Sequence, residues 1–318
     1  MQSLYSTLIS KCDAVKMKIN TFISQHTKIY VVPSSIERVP SNSPIDTFMR
    51  RMPHFLPSDA FEDTVATIGF QSWAPLDDEG RMAQCDALND FREYAEVLLA
   101  ATRDYPATTK QDMEESILTV EAFIQQDGYL PYQTVDAVVQ AISTELDKQK
   151  QILGSYIKNS VASPILVADT NALYYNPALE DWTFADIPQF QLAVLPPVLE
   201  ELDRHKSEHR NETLQIKAGR LVNQIKEYRR RGDIQRGVPL KSTISTFITP
   251  NIIPIFNRVG PFSDSKVADN QILAGCFELA RQNPGCPVAL VTRDVNLQNK
   301  AACICLPYLE PPDAVPKP

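Results

Sequence analysis

The spacing of apolar positions changes character near residue 160. Before it, Leu4, Leu8, Val15 and Ile19, with Phe22 following, recur at helical intervals and predict a helix over residues 1–25. Residues 28–32 read as a short strand, and residues 33–82, rich in Pro, Ser and Asp, as loops with a few short helices. Residues 83–103, 109–126 and 132–158 predict three amphipathic helices, with Gly128 and Pro131 supplying a stop and a start between the last two. Residues 159–164 read as a linker. Beyond it, short apolar runs at 165–168, 191–195 and 287–292, with 244–248 as a further candidate, predict strands. Helical segments at 171–176, 197–209, 212–231, 266–281 and 295–303 alternate with them. Such alternation predicts an α/β domain, a parallel sheet with helices on both faces, over 161–306. A mainly α-helical domain over 1–160 precedes it, and a Pro-rich tail over 307–318 is expected to be extended or disordered.

Composition narrows the class. The 318 residues are 43% hydrophobic and 22% charged, which indicates a folded chain. No run approaches the roughly 20 continuous apolar residues of a membrane span. The start, Met1 to Tyr5, lacks the basic and apolar regions of a signal peptide, so a cytoplasmic location is expected. The six cysteines are scattered without a CxxC pair and read as buried thiols. The net charge of −8 belongs to residues 1–160, because residues 161–318 hold 17 basic and 17 acidic side chains. Within that half, residues 204–241 carry 11 basic against 4 acidic side chains. A basic segment beside an acidic pocket suits a phosphodiester substrate.

The acids carry the chemistry. Asp169 ends the run Ile165-Leu166-Val167-Ala168, Glu200 and Glu201 lie in the first turn of the helix opened by Pro196-Pro197, and Asp294 follows Val288 to Arg293. Asp269 starts the apolar stripe of the next-to-last helix, near Ile272, Leu273, Cys276 and Ala280. Each acid alone can be read as a helix cap or a first-turn dipole contact. Recurrence at successive strand ends of one sheet points instead to a shared site for hard divalent cations, Mg²⁺ or Mn²⁺. One or two such ions can activate water and stabilise the attacking and leaving oxygens of a phosphodiester. Val198, Leu202, His205 and His209 are expected to pack. In the basic helix, Leu214, Ala218, Leu221, Ile225 and Tyr228 form an inward seam. Lys217, Arg220, Arg229, Arg230 and Arg231 lie off that seam and, with Lys206 and Arg210, are the candidate contacts to a phosphodiester backbone.

In order, Val167-Ala168-Asp169-Thr170-Asn171, Leu195-Pro196-Pro197-Val198-Leu199-Glu200-Glu201-Leu202-Asp203, Ala268-Asp269-Asn270-Gln271-Ile272-Leu273 and Val291-Thr292-Arg293-Asp294-Val295-Asn296-Leu297 resemble the motifs of the PIN domain nucleases over residues 164–306. The segment Glu201 to Lys206 looks most like PIN domains joined to PhoH-type ATPases, although no GxxxxGK[ST] loop occurs here. The resemblance implies a three-layer α/β/α fold and Mg²⁺- or Mn²⁺-dependent cleavage of single-stranded RNA. It carries over Asp169, Glu201, Asp269 and Asp294 as metal-binding catalytic acids, preferring Glu201 to Glu200. Thr170, Asn171 and Thr292 would stand behind them. Asn296 occupies a place where some members have a further acid, so a second ion would be weakly held.

Three other readings stand beside this one. A non-catalytic RNA-binding or scaffold module would not need all four acids. A phosphatase that starts from a strand-end Asp needs a second Asp where Asn171 stands. A PIN-type toxin is far shorter than this chain. Residues 1–160 contain no chemical motif, and are expected to serve a regulatory partner or a homo-oligomer rather than nucleic acid.

Overall fold

Ile165, Leu166, Val167 and Ala168 are all buried, and a strand without a wet face requires neighbours on both edges and a layer on each side. The computed structural model describes residues 1–32, 70–127, 130–157, 163–240, 244–256, 262 and 264–314. The loops expected over 33–69, Gly128, most of the expected linker and residues 315–318 lie outside them.

The first elements are α1 (Leu4–His26), β1 (Ile29–Val32), β2 (Phe70–Trp73), α2 (Asp78–Thr102), α3 (Ala107–Gln125) and α4 (Val135–Tyr156). The apolar positions expected to face inward on α1 are buried, Leu4, Leu8, Val15, Ile19 and Phe22 among them. α3 ends at Gln125, within one residue of the expected limit. Gln126 takes the left-handed conformation at φ 59°, and the N–H of Asp127 closes back on the carbonyl of Ala122. The strand β2, which weak local periodicity hid, pairs antiparallel with β1. Asp78 and Glu79 lie in the first turn of α2 rather than in a loop, and the carboxylate of Asp77 accepts from the N–H of Gly80 at 2.7 Å.

The remaining elements are β3 (Ile165–Ala168), α5 (Thr170–Tyr175), β4 (Gln191–Ala193), α6 (Pro196–Glu208), α7 (Glu212–Arg231), β5 (Val238–Pro239), β6 (Thr246–Ile248), α8 (Ala268–Gln282), β7 (Val288–Val291), α9 (Val295–Cys303) and β8 (Tyr308–Leu309). The sheet runs β5-β6-β4-β3-β7-β8, parallel except for β5 against β6. Ile165 lies opposite Gln191 of β4 on one side and Val288 of β7 on the other. From β3 the chain first builds outward through β4 and β6, then crosses back to add β7 and β8. The topological switch therefore falls between β3 and β7, where open α/β sheets place their ligands.

Two edge strands depart from expectation. Pro239 of β5 fits an edge, where no ladder donor is needed. The tail is not free at its start, because Leu290 donates to the carbonyl of Pro307 and Thr292 to that of Leu309 at 2.9 Å each. No disulfide joins the six cysteines. Cys85 and Cys303 are exposed rather than buried, whereas Cys12, Cys276, Cys286 and Cys305 are buried.

The chain divides into two compact units. One comprises residues 10–95 and 105–152. Within it Lys16 pairs with Asp147 at 2.9 Å, Lys150 with Asp13 at 2.7 Å and Lys18 with Asp90 at 2.6 Å. The other comprises residues 1–9, 96–104 and 153–318 and holds the six-stranded sheet. Its early segments are tied to α8, since Arg281 pairs with Asp104 at 2.8 Å as well as with the buried Glu278.

Helix α8 packs closely at Gly275. A β-carbon built there would come within 2.6 Å of the Cδ1 methyl of Leu195, which is itself buried just past β4. Alanine normally gains about 1 kcal/mol over glycine inside a helix, but overpacking typically costs about 1–3 kcal/mol. Gly275→Ala is therefore expected to lower stability by about 1 kcal/mol, and to raise it by a similar amount in a Leu195→Ala background. Urea denaturation of the four proteins decides, and an effect of the same sign in both backgrounds would refute the close packing.

Candidate active site at the strand ends

The geometry starts from Asp169. It follows β3 directly, is 3% exposed, and caps α5 by accepting from the N–H of Ala172 at 2.6 Å. Its second oxygen accepts from the hydroxyl of Thr292, at 2.5 Å, and the same hydroxyl accepts from the N–H of Asp294 at 3.0 Å. Thr292, fully buried just beyond β7, thus ties the acids after two adjacent strands to each other across the switch point. Asp294 is half-buried and caps α9, accepting from the N–H groups of Asn296 and Leu297.

Glu201 arrives from α6. Pro196 and Pro197 start that helix after the extended Leu195, and the buried Val198 and Leu202 fix its inward face. One carboxylate oxygen of Glu201 accepts from the hydroxyl of Thr170 at 2.5 Å. The other lies 3.7 Å from Nε2 of His205. Glu200 is exposed. His205 and His209 pack as expected, but His205 also joins the site. Its ring stacks on Tyr174, whose hydroxyl meets Nδ1 at 2.9 Å. A carboxylate facing Nε2 favours the proton on that nitrogen, leaving Nδ1 to accept from the phenol. Burial holds the Tyr174 hydroxyl up at about 12 and lowers His205.

Asp269 sits in the first turn of α8, half-buried, with Ile272, Leu273, Cys276 and Ala280 buried along the same stripe. Lys300 of α9 approaches it to 3.8 Å and donates to the side chain of Asn270 at 3.2 Å. This cation carried no signal in the sequence, because it is distant from Asp269 along the chain and stands alone on its helix. Asn171 and Asn296 are exposed, and the contact from Asn296 is its backbone N–H to Asp294. Among the described residues, no side-chain hydrogen bond links Asn171 to Asp169.

The carboxylates sense one another. Asp169 is raised to about 6, first by burial and then by the charges of Asp294 and Asp269, against the lowering effect of the Thr292 and Ala172 bonds. Burial also raises Asp269; Lys300 opposes the shift, while Asp294 and Glu201 add to it. The four acids therefore face one region at the carboxyl ends of β3, β4 and β7. Among the described residues, however, no three carboxylate, imidazole or thiolate groups are assembled to hold an ion directly. This spacing still fits a hard cation of the Mg²⁺ type, which keeps several waters and takes only one or two carboxylates directly.

The basic segment divides. Lys206, Arg210, Arg220, Arg229 and Arg230 are exposed. Lys217 instead donates to the carbonyl of Tyr174 at 3.0 Å, and Arg231 pairs with Glu180 at 2.8 Å and packs over the ring of Tyr228. These two lie off the apolar seam, as expected, and each also makes a polar contact within the fold.

The raised Asp169 gives a pH signature. The folded state holds this proton up to about pH 6, whereas the unfolded chain releases it near 3.8, so the contribution of Asp169 to stability falls as pH rises through that window. Asp169→Asn removes the penalty. At pH 7.5 the variant is expected to be more stable than the parent, by on the order of 2 kcal/mol, with the difference shrinking towards pH 4. Denaturation at both pH values checks this, and a difference independent of pH would show that the carboxylate is not destabilised by burial.

None of the curated proteins matches the chain. Residues 166–307, which hold all four acids and most of the sheet, match the family model of the PIN domain.

Proposed function

We propose that residues 161–318 form a metal-dependent ribonuclease that hydrolyses phosphodiester bonds of single-stranded RNA. The observation that carries this reading is the convergence of Asp169, Glu201, Asp269 and Asp294 at the switch point of a PIN-type sheet. PIN domains are generally nucleases that use divalent ions, which supports the reaction class. A bound Mg²⁺ or Mn²⁺ would supply a polarised water and a counter-charge for the phosphodiester. Asp169, Glu201, Asp269 and Asp294 would hold it, some of them through water. Thr292 keeps Asp169 aligned, and Thr170 with His205 keeps Glu201 turned towards the other acids. Arg220, Arg229 and Arg230 on α7, with Lys206 and Arg210, would take the strand's other phosphates. In this reading the likeness of Glu201 to Lys206 to PIN domains joined to PhoH-type ATPases extends to a shared RNA chemistry. Residues 1–160 would serve partner binding or regulation.

One observation favours a second reading, a scaffold or RNA-binding module without catalysis. Lys300 already offsets the charge of Asp269, and among the described residues no three ligands stand ready for an ion. The two readings separate on labelled RNA incubated with Mn²⁺, Mg²⁺ or EDTA. Cleavage that EDTA abolishes is expected, together with a Mn²⁺-dependent rise in melting temperature. Uncleaved RNA with all ions would leave the scaffold reading.

Asp169→Asn is expected to lower cleavage by about 100-fold or more, the scale on which losing one transition-state electrostatic contact acts. Glu201→Gln should be nearly as damaging and Glu200→Gln close to neutral, since neighbouring helical side chains diverge by about 100°. Equal small effects at both positions would count against the site as drawn.

Charge reversal at Arg229 and Arg230 is expected to weaken RNA binding for every sequence and to reduce its salt slope by about 2. Reversal at Arg231 should instead lower the melting temperature, because it breaks the pair with Glu180. A salt slope unchanged by the Arg229 and Arg230 variants would mark α7 as a merely solvated face.

A further inference from the structure

The residue between Thr292 and Asp294 has no part in the carboxylate network. Arg293 is exposed, and its guanidinium carbon lies 3.9 Å from the centroid of the Tyr175 ring. Among the described residues it pairs with no carboxylate. Tyr175 is the last residue of α5, the helix capped by Asp169, so it lies about 9 Å along the helix axis from the site's central acid. Its ring is tethered through its hydroxyl. The phenol hydroxyl donates to the carboxylate of Asp313, and the neighbouring Asn176 side chain donates to the carbonyls of Pro312 at 3.1 Å and Asp313 at 3.4 Å. The stack therefore joins the connection after β7, which carries Arg293, to the C-terminal end of α5, where the Tyr175 hydroxyl is tethered.

Resting on the nuclease reading above, we infer that Arg293, backed by Tyr175, is a stacking platform for one unpaired base of the strand whose phosphodiester lies at the carboxylates. The guanidinium lies over the ring, and Arg293 is exposed to solvent. A guanidinium is planar, weakly hydrated and delocalised, and in nucleic-acid recognition its face stacks on bases. A phosphate would be met by the N–H edge instead, and needs no aromatic backing. A base is available for such stacking only when it is unpaired, so the platform selects single strands by geometry rather than by sequence.

The test uses the full-length protein in EDTA and three labelled probes of equal length: a single-stranded RNA, an abasic strand of the same charge, and a duplex. Wild type is expected to bind the base-containing strand at least about five-fold more tightly than the abasic strand, a lower bound for one stacked base. Arg293→Lys keeps the charge and removes the plane, so it should bring this ratio close to one while leaving abasic binding and the salt slope unchanged. Tyr175→Leu should lower the ratio part of the way, with melting curves confirming that both variants fold. The inference is overturned if wild type binds both strands alike or binds neither. It is also overturned if Arg293→Lys keeps the wild-type ratio, or if Arg293→Ala weakens both strands equally and Lys restores them, which would make Arg293 a phosphate contact. Mn²⁺-dependent cleavage, measured separately, keeps the two proposals apart. Cleavage without a base preference removes the platform alone, and a base preference without cleavage removes the nuclease reading alone.

Discussion

The Asp169 carboxylate, buried at the end of a strand that has no wet face, is the constraint on which the site depends. A charge in that position is costly unless donors surround it, and three elements have to be in register to supply them. The first turn of α5 gives the Ala172 N–H, and the end of β7 gives the Thr292 hydroxyl. That hydroxyl in turn accepts from the backbone that presents Asp294. Moving β7 against β3 by one residue would replace the hydroxyl of Thr292 with a side chain from the opposite face. The register is thus fixed by polar pairing at the strand ends as well as by apolar packing along them. The donors do not fully compensate burial, because the carboxyl still titrates near 6. The residual penalty makes this end of the sheet receptive to positive charge.

Capping and chemistry are not alternatives at these positions. In sequence, Asp169 and Asp294 could be read either as N-caps or as functional acids, and each does cap its helix. A carboxylate has about four lone-pair directions, and the cap uses part of them. The cap contributes something a ligand needs, since it removes rotational freedom from the side chain before any ion or phosphate arrives. Asp269 differs. No side chain caps α8, and its acid keeps more freedom and a closer cation, Lys300.

Legibility followed the range of the interactions involved. β3 and α9 and the limits of α7 could be placed from residues 165–168, 295–303 and 212–231 because apolar period and cap residues are local signals. β2, β5 and β8 could not, since each is two to four residues long and exists only because a distant strand offers an open edge. The same division runs through the site. The four acids announce themselves by recurring at strand ends, and Thr170 and Thr292 by standing beside them. Lys300 and the contact between Tyr174 and His205 depend on which helices become neighbours. A helical wheel placed Lys217 and Arg231 correctly off the seam but could not show the Tyr174 carbonyl and Glu180 that take them up.

The charge distribution then has a physical consequence for any anionic strand. Four carboxylates in one region repel phosphate, so approach must be favoured by charges placed to the side and by an opposing charge at the centre. The exposed arginines of α7 are lateral, and they act over a Debye length of about 8 Å at physiological salt. Lys300 is close to the acids but can offset only one of them, and half-burial holds it at Asp269. The remaining imbalance is of the sign that added cations would offset.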